Sequence, residues 1–287
     1  MVISMKLLEG KKVAAALDET MTKRVEDLKK KGVTPGLAVI LVGENSASAV
    51  YVRNKKRRAE KLGINFQLIH FDETVSEREL LAKIDELNND KDVDGFIVQL
   101  PVPDHIDEDK VIEAIDPNKD VDGFTPISVG NLWIGTPLTK PATASGILMM
   151  LDHYGVDLDG KNVVIVGRSN IVGKPTAALM LDRNATVTIT HSHTKNLKEI
   201  TSKADVLVVA IGRAKFITQD YVKDQAIVID VGMDRDENGK LCGDVDFDDV
   251  ADKAAMMTPV PGGVGPMTIT ALVDQVIELA EGRANGK

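Results

Sequence analysis

Apolar and polar positions along the chain alternate between two patterns, short buried runs and amphipathic stretches of helical period. Val13 to Lys31 carries apolar residues at helical spacing and stops at Gly32. Leu37 to Val42 (LAVILV) is a continuous apolar run, the mark of a strand covered on both faces. A helix is predicted from Ser46 to Leu62, with Gly63 at its end. A strand at Asn65 to Phe71 and a leucine-spaced helix at Glu77 to Asn88 follow. Gly95 to Leu100 (GFIVQL) reads as a strand halted by Pro101 and Pro103, and Asp107 to Ile115 as a further helix. Residues 116 to 143 differ. Pro117, Pro126, Pro137 and Pro141, with Gly123, Gly130 and Gly135, predict a loop-rich connection between domains.

After a helix expected at Ser145 to His153, the alternation restarts. Val163 to Val166, Ala185 to Thr190, Val206 to Ile211 and Ile227 to Val231 read as strands, and Thr176 to Leu181 as a helix. A last helix, Thr268 to Ala280, follows the loop PVPGGVGPM. Strands alternating with helices imply parallel pairing through βαβ units. The fold class is therefore α/β, with two α/β domains over residues 1–140 and 141–267. A length of 287 residues also favours two cores over one.

Charge and composition narrow the partners. A net charge of -9 argues against a general nucleic-acid binder, though not against a local basic pocket. Cys242 is the single cysteine, so no internal disulfide and no cysteine metal cage can form. No apolar run approaches the roughly 20 residues that span a bilayer, and the first residues lack a leader pattern. The expected setting is the cytoplasm, with no membrane, no nucleic acid and no metal.

The segment VVIVGRSNIVG has the layout of a dinucleotide loop. Gly167 closes a buried strand, and Gly173 opens a helix six residues on. The first glycine allows the turn, the last allows close packing, and the helix N-terminus meets a pyrophosphate. Ser169 replaces the middle glycine, so an ordinary strand-turn-helix corner fits as well. In NAD-binding folds the next strand ends in an acid for the ribose 2′-hydroxyl. Here it ends in THSHTK, with Ser192 among two imidazoles and Lys195 and no carboxylate. That set suits a 2′-phosphate, and Arg168 can offer planar donors to it. NADP is preferred over NAD. His191 and His193 lack the acid or thiolate company of a metal site.

The helix SASAVYVRNKKRRAEKL places Lys55 on the face of Val52, Ala59 and Leu62. A lysine among apolar neighbours has its ammonium form disfavoured and can move protons near neutral pH. The same position also fits a lysine snorkelling at the core edge. Tyr51 lies one turn earlier on that side. Gln99 closes an otherwise apolar strand, at the end where open parallel sheets bind ligands. Asp122 lies in the glycine- and proline-flanked turn DVDGFTP, where an acid can simply serve the turn.

Taken in order, YVRNK, DGFIVQLPVP, KDVDGF, GRSNIVGKP and TPVPGGVGPMT resemble the bifunctional methylenetetrahydrofolate dehydrogenase/cyclohydrolase family over nearly the whole chain. The resemblance implies an N-terminal catalytic domain, completed by a C-terminal helix in 268–287, and a Rossmann-like NADP domain, with a cleft between them. It implies that Lys55 is the principal cyclohydrolase residue, that Gln99 contacts and tunes it, that Tyr51 packs on the folate rings, and that Asp122 hydrogen-bonds the pterin. It places Gly167, Arg168, Ser169, Ile171, Gly173 and Ser192 at the cofactor, and Pro261, Gly262 and Gly263 beside the folate. The implied substrates are tetrahydrofolate derivatives, and the implied assembly is a homodimer. Two departures stand out. PATA, Pro141 to Ala144, replaces a common PCTP, which implies a looser hinge, and His193 stands where a basic residue is common, which implies a weaker or pH-dependent phosphate grip. The alternatives are a monofunctional NAD(P)-dependent dehydrogenase, of methylenetetrahydrofolate or shikimate type, and a nucleotide sensor without catalysis.

Overall fold

The computed structural model describes residues 5–44 and 46–286, with Ser46 and Ala47 described by backbone alone. In chain order the elements are β1 (Lys6–Leu7), α1 (Gly10–Lys30), β2 (Gly36–Val42), α2 (Ser46–Leu62), β3 (Asn65–Phe71), α3 (Glu77–Asn89), β4 (Gly95–Val98), α4 (Glu108–Glu113), α5 (Pro126–Trp133) and α6 (Ala142–His153). They continue with β5 (Asn162–Val166), α7 (Gly173–Leu181), β6 (Thr186–Thr190), α8 (Leu197–Thr201), β7 (Val206–Val209), β8 (Ile227–Asp230), β9 (Asp234–Arg235), β10 (Leu241–Cys242), α9 (Phe247–Val250), β11 (Met256–Met257) and α10 (Val264–Ala284). No helix among the described residues is long and apolar enough to cross a membrane.

The chain forms two compact units. One comprises Leu17–Ala142 with the segment from Ile269 onward, and the other comprises the described residues up to Ala16 with Thr143–Thr268. The first residues, expected in the N-terminal domain, thus belong with the nucleotide unit. There β1 pairs in parallel with β11, a contact between strands too short for any periodic signal.

The first unit holds a parallel three-stranded sheet, β3-β2-β4. Alternate residues of β2 feed two cores, as the strand's period of two requires. Leu37, Val39 and Leu41 pack with Val25, Leu62 and Val276, while Ala38, Ile40 and Val42 pack with Leu80, Ile84 and Phe96. The chain runs from β2 out to β3 and then returns to β4 on the other side. The ends of β2 and β4 therefore flank a topological switch point, and Gln99 follows β4 there. Residues 116 to 143, expected as loops, contain α5. Thr125 caps it by accepting from the Ser128 amide, and Pro126 occupies the first turn, where its missing amide costs nothing.

Ion pairs within this unit hold α10 in place. Arg24 on α1 forks onto Glu281 at 2.8 Å and meets Asp274 at 2.5 Å. Arg283 grips Asp94 through two bonds of 2.7 and 3.0 Å, and Asp94 is 6% exposed. Arg283→Ala leaves that buried carboxylate with the Gly36 amide as its remaining hydrogen bond. We expect it to destabilise the protein by about 1–3 kcal/mol, read from the urea midpoint.

The second unit holds a parallel six-stranded sheet in the order β1-β11-β8-β7-β5-β6. From β5 the chain steps to β6 on one side and crosses back to β7 on the other. The C-terminal ends of β5 and β7 are therefore the switch point of this unit. The antiparallel pair β9-β10 stands apart from the sheet.

Candidate active site

In the first unit, α2 buries Val52, Lys55, Ala59 and Leu62 along one stripe. Lys55 is only 7% exposed, so it does not snorkel. Its Nζ donates to Gln99 Oε1 at 3.0 Å. The Gln99 amide group donates to the Leu100 carbonyl at 3.0 Å, which fixes which end of the amide faces the lysine. Burial holds the Lys55 amine below its ordinary range, and the charge of Asp122 opposes this. Burial pushes the Asp122 carboxyl up to about 6, with Lys55 pulling it down and Asp120 adding to the rise. Tyr51 lies one turn before Lys55 on α2, half-buried, with its hydroxyl pushed up by burial. The structure therefore brings Gln99 into hydrogen-bond contact with Lys55 and Asp122 within reach of its charge.

Asp120, which the sequence reading passed over, builds the turn that carries Asp122. It is 1% exposed. One carboxylate oxygen accepts from Gly123 at 2.8 Å and Phe124 at 3.3 Å, and the other from Thr125 at 2.8 Å. Gly123 adopts φ +68°, and a side chain there would press on Pro141. The Asp-x-x-Gly spacing was the available signal for such a turn.

The second unit assembles the nucleotide residues. Gly167 has φ +126°, and a Cβ on it would collide with the Ala210 carbonyl. A Cβ on Gly173 would collide with the Gly167 carbonyl. Both glycines are required by close backbone approach, as a dinucleotide turn demands. Ser169 fills a different role from the absent glycine. Its Oγ accepts from the amides of Val172 at 3.1 Å and Gly173 at 3.3 Å. The helix N-terminus is thus already capped by a hydroxyl whose own hydrogen remains to donate outward. Arg168, Ser169, Ile171 and Ser192 are exposed at the ends of β5 and β6. After β6, the His191 amide donates to Thr194 Oγ1 at 2.8 Å, and the His193 amide to His191 Nδ1 at 3.2 Å. No carboxylate occurs in that turn. The backbone cradle and its basic rim fit a phosphorylated dinucleotide. Among the described residues, no group of three or more His, Cys, Asp or Glu side chains could hold a metal ion.

Pro261, Gly262 and Gly263 form a loop tied to the start of α1. The Lys11 amide donates to the Gly262 carbonyl at 3.2 Å. A Cβ on Gly10 would collide with the Gly263 carbonyl, and Gly262 has φ +111°.

A Rossmann-like unit with a glycine cradle, in one chain with a second α/β unit that buries a lysine on a glutamine, defines a nicotinamide-dependent class of enzyme. Comparison with known proteins agrees. The tetrahydrofolate dehydrogenase/cyclohydrolase catalytic domain matches residues 8–122, and the NAD(P)-binding domain of the same family matches residues 141–284. The bifunctional protein FolD of Lactococcus lactis subsp. cremoris is 56% identical over 281 residues, covering 98% of this chain and 99% of that protein. The crystal structure of the bifunctional FolD enzyme of Campylobacter jejuni superposes with a TM-score of 0.96 at 46% identity, covering 98% of this chain and all of that one. The Trypanosoma brucei enzyme, solved with NADP and an inhibitor, gives 0.92 at 35% identity, with 97% and 98% covered. The chain belongs to the tetrahydrofolate dehydrogenase/cyclohydrolase family, and it carries the domains of both activities.

Proposed function

We propose that this enzyme oxidises 5,10-methylenetetrahydrofolate to the methenyl cation with NADP+ and then hydrolyses that cation to 10-formyltetrahydrofolate, with Lys55 as the proton-transfer residue of the second reaction. The observation that carries the reading is the buried Lys55 amine on Gln99 with the half-buried Asp122 beside it.

A permanently charged lysine would repel a cationic carbon. Burial lowers the cost of losing the proton, so a neutral amine can take a proton from the attacking water. The resulting ammonium can return a proton to the pterin nitrogen as the carbon–nitrogen bond breaks. As that bond breaks, the carbinol oxygen becomes the formyl carbonyl and its hydroxyl proton passes to solvent, the one proton that the overall hydrolysis releases. Gln99 holds the amine in both states, because its carbonyl oxygen accepts from either. Asp122, carried by the Asp120 turn, would accept from the pterin, and Tyr51 would offer a ring face for stacking. Pro261, Gly262 and Gly263 are assigned to substrate binding.

Gly167, Ser169, Ile171 and Gly173 would hold the dinucleotide, with Arg168 and Ser192 at its 2′-phosphate. The bound nicotinamide supplies the two-electron oxidant for the first reaction. The protein's part in that step is distance and orientation. The acid-free turn after β6 supports NADP over NAD. We also read the enzyme as a cytoplasmic homodimer. A half-buried free thiol at Cys242 suits a reducing compartment, and β3 leaves an open sheet edge with Leu68 exposed beside it.

An absorbance assay with methylenetetrahydrofolate and each nicotinamide tests the reading. Reduction is expected to be faster with NADP+ at equal, sub-saturating concentration, followed by decay of the methenyl absorbance. Equal rates with NAD+ would remove the 2′-phosphate assignment, and a stable methenyl product would remove the second activity.

A further inference from the structure

Two buried carboxylates in the nucleotide unit have no part in the scheme above. Asp230 ends β8 and is 4% exposed, and Asp244, in the loop after β10, is fully buried. Asp230 accepts three backbone amides, from Gly232 at 2.9 Å, Asp244 at 3.0 Å and Val245 at 3.0 Å. Asp244 in turn accepts from the amides of Ile211 at 2.7 Å and Arg213 at 2.5 Å. The two glycines around them have no room for a side chain. A Cβ on Gly243 would strike the Asp230 carboxylate, and one on Gly232 would strike the Asp244 amide.

The residues that Asp244 grips form the turn at the C-terminal end of β7. That turn lies at the switch point, beside the Gly167 loop. The Ala210 amide donates to the Val166 carbonyl at 2.9 Å, and the Ala210 carbonyl is the group that excludes a side chain at Gly167. Amides at the open end of a central strand would otherwise point into a ligand crevice as unsatisfied donors. Asp244 consumes two of them and fixes their backbone. Asp230 holds Asp244 in register from the next strand.

We propose that Asp244 is a positioning residue for the nicotinamide cofactor: through the Ile211 and Arg213 amides it sets the turn after β7 against the Gly167 loop before the dinucleotide arrives. Pre-setting the wall of a site removes an ordering cost from binding. The inference rests on the NADP assignment above.

The test uses the full-length enzyme. Amide hydrogen exchange of the wild type without nucleotide is expected to show Ile211 and Arg213 already protected. Protection that appears only after NADP+ is added would overturn the proposal, and this measurement needs no variant. In Asp244→Asn, the side-chain oxygen can accept from only one of the two amides and the NH2 end faces the other donor, so protection should be lost at one of them at least. The dissociation constant for NADP+, measured by calorimetry, should rise about tenfold or more. KM for NADP+ should rise with it, while kcat at saturating nucleotide stays near that of the wild type. A lower melting temperature with unchanged NADP+ affinity would mark Asp244 as a fold-holding residue only and overturn the proposal. Failure of the wild type to bind NADP+ would instead reject the cofactor assignment.

Discussion

Lys55→Met is expected to abolish opening of the methenyl ring while the variant still folds and still binds NADP+. The physical ground is the amine's place in the fold. It sits on the buried stripe of α2 with one side-chain hydrogen bond to Gln99, so methionine fills nearly the same volume and removes only the proton carrier. General acid–base groups contribute about 10²–10⁴-fold to such steps, and the hydrolysis rate should fall by that order. Stability should change little, because the cost of burying an ionisable amine is removed while Asp122 loses the charge that favoured its ionised form and keeps its proton instead. The measurement is the decay of methenyltetrahydrofolate absorbance, alongside calorimetric NADP+ binding. Hydrolysis at the wild-type rate would reject the assignment of Lys55.

The second expected result concerns pH. Asp122→Asn should shift the rising limb of hydrolysis against pH toward lower pH, and should lower the plateau. The sign follows from the pair. The Asp122 charge raises the Lys55 value that burial has lowered, so deleting the charge lets the amine lose its proton at lower pH. The plateau falls because the pterin loses a charged acceptor. Stability should also change with pH. A carboxyl pushed from 3.8 up to about 6 keeps its proton longer in the folded state than in the unfolded one. Its contribution is present below pH 3.8 and is lost as pH rises through about 6. The wild type should therefore lose part of its thermal stability between those values, and the asparagine variant should lose less. A limb that does not move, with an unchanged stability profile, would show that the two groups are not coupled.

Part of the candidate site left marks in the chain alone. Lys55 was a cation on an apolar stripe and Gln99 an amide closing an apolar strand, each open to an ordinary core-edge reading until burial and their hydrogen bond joined them. Gly167 and Gly173 stood at the spacing of a strand-turn-helix corner. Asp230 and Asp244 were not legible, and of Asp120 only the Asp-x-x-Gly turn was. Asp120 and Asp244 lie in glycine-flanked acidic segments that look like solvated turns, Asp230 lies at the end of an apolar strand, and only burial and the amides each one accepts set them apart. The helix α5 was hidden by its prolines and glycines, although Thr125-Pro126 is a start signal once the capping bond is seen. The strands β1 and β11, at two residues each, carry no period to read.

The sequence by itself determined the alternation of strands and helices, the parallel sheets that follow from it, and the residue types able to move a proton or cradle a phosphate. Those depend on local periodicity and side-chain chemistry, which the chain carries in order. The tertiary structure decided which acids are buried, which amides they hold, and that the first residues pair with the far end of the nucleotide sheet. These depend on contacts between positions up to some 250 residues apart, such as the pairing of Lys6 with Met256, and on the loss of solvent there, neither of which is written in any local window.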